Sequence, residues 1–85
     1  MFQHIYELRS MPLWLLQIYL EEVNGILQEN GWYIGPGWRA KIEKMNDFHI
    51  GSLSVGQVRL EWWGDEVANK EILPKLEQKM IRAGG

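Results

Sequence analysis

Residues 31–64 read GWYIGPGWRAKIEKMNDFHIGSLSVGQVRLEWWG and hold four of the chain's five tryptophans and six of its nine glycines. Rings this large in an 85-residue chain must lie mostly against other side chains, and glycines at such intervals mark sharp turns of the backbone. The stretch therefore predicts a curved antiparallel sheet. Within it Trp38, Ala40 and Ile42 alternate with Arg39, Lys41 and Glu43, and Val58, Leu60 and Trp62 alternate with Arg59, Glu61 and Trp63. That is the period of strands with one apolar face. Turns are expected at Gly35-Pro36-Gly37, at Asn46-Asp47 and at Gly56-Gln57, where glycine stands first as in a two-residue hairpin loop. Phe48 and Ile50 have the opposite parity to Leu53 and Val55, so a bulge is expected at Gly51.

Toward the N-terminus, Phe2, His4, Tyr6 and Leu8 alternate with Gln3, Ile5 and Glu7, which predicts a first strand. Ser10 is the expected N-cap of a following helix, with Pro12 in its first turn, where a missing N–H removes nothing the helix needs. Gln17, Glu21, Asn24 and Gln28 draw a narrow polar stripe along this helix, so most of it should be buried. Leu13, Leu16, Leu20 and Val23 are placed on the sheet, Trp14 and Ile18 on a flank left partly bare. Asn24-Gly25 is the favoured stop, although the periodicity permits continuation to Glu29. Past the stop, Ile26 to Glu29 should extend, turn through Asn30-Gly31 as a type I′ hairpin and return over Trp32 to Ile34.

Beyond Gly64, Asp65 is positioned to cap the last helix and Glu66 sits in its first turn. Pro74 predicts a kink there, or a short helix before Ile72 and a new one from Pro74. Leu73, Leu76 and Met80 share one face. Residues 1–85 thus read as a single α+β domain of two layers, a curved antiparallel sheet packed by two helices.

Composition narrows the function classes. Nine basic against eleven acidic residues, a net charge of −2, give no electrostatic footprint for nucleic acid. The longest apolar run, Met11 to Leu16, is far short of the roughly 20 residues of a membrane span. Nothing resembles a secretory signal, and without cysteine there is no thiol nucleophile or thiolate metal site, which fits a cytoplasmic protein. His4 and His49 lack a second ligand at metal-binding spacing, and Ser10, Ser52 and Ser54 lie in no nucleophile-elbow pattern. Gly35-Pro36-Gly37 lacks the lysine and the donors of a phosphate loop. No catalytic residue, metal or cofactor is expected.

The candidate surface is the polar side of the sheet. Arg39, Lys41 and Glu43 share it with Arg59 and Glu61, a pattern that commonly forms a solvated face. Its functional version makes Arg39 or Arg59 an anion anchor with Trp63 or Tyr33 stacking nearby. Trp62 and Trp63 are adjacent in one strand and point to opposite faces, so Trp63 is either covered by the chain's own termini or marks a ligand or partner surface. Trp14 poses the same question on the helix flank, and a protein partner or homodimer would answer both. The ending Ala83-Gly84-Gly85 is similar to the diglycine tail of ubiquitin-like sulfur carriers, although a Gly-Gly pair after a helix is more commonly a stop.

Several segments together carry a family resemblance: Pro12 to Leu16, Tyr19 to Glu22, Gly37 to Glu43, Phe48 to Leu60 with its IGSLxVGxVRL run, and Leu76 to Gly85. They resemble the C-terminal domain of MoaD-related proteins, which is appended to a module like the molybdopterin synthase small subunit. The resemblance implies a TATA-binding-protein-like fold of strand, helix, four strands and helix. It implies no catalytic residue. The domain is expected to stand here without the fused carrier module, since the chain begins at Met1 with the domain itself. The resulting expectation is a non-catalytic accessory or interaction domain linked to sulfur-carrier or molybdenum-cofactor biosynthesis. Its rivals are a small-ligand module with a Trp-lined pocket gated by Gly35 to Gly37, and a diglycine-tailed sulfur carrier.

Overall fold

The computed structural model describes residues 1–84, with side chains as far as Ile81. Its elements run β1 (Phe2–Arg9), α1 (Leu13–Glu22), β2 (Ile26–Leu27), β3 (Tyr33–Gly35), β4 (Trp38–Ile50), β5 (Leu53–Gly64), α2 (Glu66–Glu71) and α3 (Leu73–Gly84). The protein is α+β, and its one five-stranded sheet has the order β1-β5-β4-β3-β2, antiparallel throughout.

Alternation decides the faces as expected. Trp38, Ala40, Val58, Leu60 and Trp62 are buried together with Leu16, Leu20 and Val23 from α1 and its C-cap, Ala68 from α2, and Leu73, Leu76 and Met80 from α3. Arg39, Lys41, Glu43, Arg59, Glu61 and Trp63 point to the opposite, open face of the sheet. Of α1 itself only Leu16 and Leu20 are fully buried, so the helix is less enclosed than its narrow polar stripe predicts. Trp14, at 61% exposure, and Ile18 lie bare, because a two-layer fold leaves the outer side of a helix to solvent.

The helix ends differ from expectation at one terminus only. Ser10 is not the N-cap. It sits at φ 62 and donates its N–H to the Gly56 carbonyl at 2.8 Å, closing β1, and Pro12 occupies the cap position without a side-chain cap. At the other end, Gly25 N–H reaches Leu20 O at 2.8 Å and Asn24 N–H reaches Glu21 O at 3.0 Å, with Asn24 at φ 71. These are the paired bonds of a Schellman stop, so the helix ends where Asn24-Gly25 predicts. Asp65 caps α2 through Oδ1, which accepts the Ala68 N–H at 2.8 Å. The final helix breaks at Ile72, just ahead of Pro74, as the missing N–H of proline requires.

The hairpins carry the corrections. Residues 28–31 form a longer loop in place of a type I′ turn. Gly31 N–H bonds Gln28 O, Gln28 N–H bonds Trp32 O, and only Gly31 has positive φ, so this is a turn followed by a glycine bulge. β2 accordingly keeps two residues. Asn46-Asp47 is not a turn, Gly51 is not a bulge, and Gly56-Gln57 is not a hairpin loop. β4 runs unbroken to Ile50, the chain reverses at Gly51-Ser52 with Gly51 at φ 60, and β5 runs from Leu53 through Gly56 to Gly64. The bulge lies in β4 between Met45 and Phe48, opposite Gly56. The change of parity between Ile50 and Leu53 is what a two-residue turn does, since residues flanking it stand opposite each other on one face.

The distal half of this hairpin projects as an arm. The molecule measures 43 × 27 × 20 Å, and its radius of gyration of 13.1 Å exceeds the about 12 Å of a compact chain of this length. No residue between Met45 and Gln57 is fully buried. Gln57 Nε2 donates to Asn46 O at 3.1 Å and Ser54 Oγ to Asp47 Oδ2 at 3.0 Å, which holds the bulge.

Candidate functional site

The open face is built by three strands in register. Arg39 stands opposite Trp63 on β5 and Ile34 on β3, Lys41 opposite Glu61, and Glu43 opposite Arg59. Gln3, Ile5 and Glu7 of β1 continue these rows beyond Trp63, Glu61 and Arg59.

Arg39 and Trp63, both singled out by sequence, meet here, but the aromatic partner completing the site is Trp32. The Arg39 guanidinium carbon lies 5.3 Å from the Trp32 ring and 5.6 Å from the Trp63 ring, and Lys41 Nζ is 6.0 Å from Trp32. A guanidinium between two indoles gains cation–π attraction from both while its five N–H donors stay in plane and available. No carboxylate comes within ion-pair distance of Arg39 among the described residues; the ion pair found there joins Lys79 and Glu22 at 3.0 Å, between α3 and α1.

Tyr33 does not belong to this site. It is 3% exposed and packs in the core, because it pairs with Ala40 and so shares the helix-side face. Burial and the negative charge of Glu21 raise its hydroxyl pKa. The signal for Trp32 was present in the sequence: a two-residue Pro36-Gly37 turn sets Gly35 opposite Trp38 and thereby brings Trp32 level with Lys41 on the open face.

Arg59 shares the face but not the aromatic cluster. It faces Glu43 and Glu7 across the ladder and lines a small cleft of about 40 Å³ with Lys41, Glu43 and Glu61. Trp63 is half-buried, flanked by Gln3 and Arg39 from the adjacent strands, and its indole N–H is enclosed without a hydrogen-bond partner among the described residues. Trp14 is remote from all of these. It borders a groove of about 420 Å³ between the start of α1 and the base of the arm, together with Met11, Leu13, Lys44 and Val58.

The space beside Gly35 is filled by the Trp38 indole, and that beside Gly37 by the Asp65 carboxylate. A Cβ on Gly35 would lie 2.2 Å from Trp38 Cε2, and one on Gly25 2.6 Å from its Cη2. At Gly25 and Gly35, then, the protein's own Trp38 ring takes the space. His4 Nε2 is hydrogen-bonded to Asn69 Oδ1 at 2.9 Å, and His49 is exposed on the arm opposite Ser54. Among the described residues no group of three histidine, cysteine, aspartate or glutamate side chains could hold a metal ion, and no helix is long and apolar enough to cross a membrane. Helix α3 continues to Gly84; Gly85, with the end of the diglycine tail, lies outside the described residues.

A family model described as archaeal MoaD-like protein matches residues 4–85. No curated protein matches the chain.

Proposed function

Because the chain belongs to the family of archaeal MoaD-like proteins, we propose that it is a non-catalytic interaction domain of the cytoplasm. Family membership suggests a link to sulfur-carrier or molybdenum-cofactor biosynthesis, and its role there is to dock a protein partner through the open face of the sheet. The fold is read in the same spirit as TATA-binding-protein-like, with the open face serving as the working surface.

The observation that carries this reading is the Arg39 guanidinium 5.3 and 5.6 Å from the Trp32 and Trp63 rings, with no acid among the described residues within ion-pair distance. Tryptophan and arginine are the side chains that most often dominate interface energetics, since they combine large contact area with directional donors. A partner carboxylate approaching the face would meet a guanidinium already held in place, which lowers the ordering cost of binding. Ile34, exposed next to Arg39 in the same row, adds apolar contact.

The test is titration calorimetry of the chain against purified sulfur-carrier and molybdopterin-synthase proteins, repeated with Arg39→Ala, Trp63→Ala and Arg59→Ala. Arg39→Ala and Trp63→Ala should each weaken binding by about 2 kcal/mol, and Arg59→Ala by well under 1 kcal/mol. Absence of binding to every such protein, or equal loss in all three variants, would sink the proposal.

A further inference from the structure

The two edges of the sheet are unequal. On one side β2 offers only Ile26 and Leu27, and past β3 the outer edge of β4 is open but interrupted between Met45 and Phe48; on the other, β1 offers the eight residues Phe2–Arg9 and, among the described residues, pairs with β5 alone. One hydrogen bond tells which backbone groups of β1 face outward. Ser10 N–H reaches Gly56 O, and Ser10 continues the register that sets Arg9 opposite Gln57. Bonded and non-bonded pairs alternate along an antiparallel ladder, so His4, Tyr6 and Leu8 bond to β5. Gln3, Ile5, Glu7 and Arg9 therefore turn their N–H and C=O groups away from the sheet.

An edge of this length is usually blunted by proline, lysine, a bulge or a covering segment. β1 contains neither proline nor lysine, its charges are limited to Glu7 and Arg9, its register with β5 is unbroken, and among the described residues no strand lies beside it on the outer side. Next to it runs a groove of about 600 Å³, lined by Tyr6, Leu8, Arg9, Glu77, Met80 and Ile81, the last 71% exposed.

We propose that β1 pairs antiparallel with β1 of a second copy of this chain, across a two-fold axis at Tyr6, joining two five-stranded sheets into one. Self-complementarity singles out the second copy. In this register Gln3 meets Arg9 and Ile5 meets Glu7, so every outward-facing residue of β1 exchanges hydrogen bonds with another. No like charges stand directly opposite. Sliding by one step in one direction sets Glu7 against Glu7 and strands Gln3; sliding in the other strands Arg9. On the helix side Tyr6 lies beside its counterpart, and the groove takes up Tyr6 and His4 of the second copy. This edge adjoins the open face, since Gln3 flanks Trp63, but the pairing uses the backbone of β1 and does not depend on the reading of the Arg39 site.

Sedimentation equilibrium of the full chain tests the pairing, with circular dichroism of each variant as a check of the fold. The wild type should dimerise reversibly. Ile5→Glu places a carboxylate opposite Glu7 of the other copy, twice per dimer, and should raise the dissociation constant about tenfold. Ile5→Lys replaces the same apolar side chain with a cation facing that Glu7, and should leave the constant unchanged or lower it. Ile26→Glu, at the opposite edge, should have no effect. A chain that stays monomeric, equal weakening by Ile5→Glu and Ile5→Lys, or dissociation caused by Ile26→Glu would each overturn the proposal.

Discussion

Trp38 is the side chain over which sheet and helix meet. One part of its indole rests on the backbone of Gly25 and Gly35, and it stacks on Trp62 with centroids 4.7 Å apart and planes 20° from parallel. Neither side can yield freely. Gly35→Ala should therefore push the ring against Trp62 and cost about 1–3 kcal/mol, read as a lower urea midpoint and an altered near-ultraviolet circular dichroism band. Sequence marks Gly35 as a turn residue, which it is, but its closer constraint is the ring above it. That contact is long-range in orientation if not in numbering, and alternation alone does not show it. Tyr33 and Trp32 illustrate the same limit: both are aromatic and adjacent, and only the pairing partner says which one is core.

Tyr6 carries a pH dependence at the same scale. Burial first, then the hydrogen bond and negative charge of Glu77, raise its hydroxyl above the ordinary 10.0, with the O–H donated to Glu77 Oε2 at 2.9 Å. The unfolded chain therefore loses this proton before the folded one does. The stabilisation is complete below a pH of about 10 and is lost as pH rises toward the folded value. Tyr6→Phe should cost about 1 kcal/mol at neutral pH and flatten part of the alkaline decline. Urea titrations of both proteins at neutral and strongly alkaline pH check this; parallel curves would refute it.

Among the elements, α2 depends most on a single side chain. It has six residues, too few to stand on propensity, and Asp65 supplies its cap. Asp65→Ala should cost about 1 kcal/mol, and Asp65→Asn much less, measured by chemical denaturation. The β4–β5 hairpin depends instead on Gly51. At φ 60, with no atom within 4 Å of a would-be Cβ, a substitution there meets strain but no clash. Gly51→Val should therefore destabilise by about 1–2 kcal/mol, while Gly51→Asn is nearly tolerated. This is also the element that sequence reads least well. Asn46-Asp47, Gly51 and Gly56-Gln57 all have turn chemistry, and one turn with one bulge satisfies the same parities as two turns with one bulge. Tertiary pairing chooses between them. The capped start of α2, the stop at Asn24-Gly25 and the break before Pro74 are legible because each is decided by bonds within a few residues.

For the whole molecule, the helices cover only the proximal half of the long hairpin. Trp38, Ala40, Val58, Leu60 and Trp62 lie beneath them, and residues 46–56 extend past with no buried side chain. Amides of the arm should exchange through local opening at a free energy well below that of global unfolding, whereas those of Ala40, Leu60 and Trp62 should track the global value. Hydrogen exchange followed residue by residue across a urea series distinguishes the two classes. Uniform protection along β4 and β5 would show that the arm is stabilised by something beyond its own ladder.

The shortness of β2 bears on what happens when many copies of this chain are crowded together. A sheet that could be extended at both margins would act as a monomer for head-to-tail growth, and each added copy would present a fresh template. Here one margin offers two residues of β2, Ile26-Leu27, too little backbone to seed a further strand, and then the outer edge of β4, which β3 covers only from Trp38 to Ala40. An assembly that uses β1 therefore still has the outer edge of β4 in reserve, and the bulge between Met45 and Phe48 is what blunts that edge. The irregularity at Asn46-Asp47 thus limits growth on that side, and a deletion that restored a regular β4 would be the one to watch for fibres.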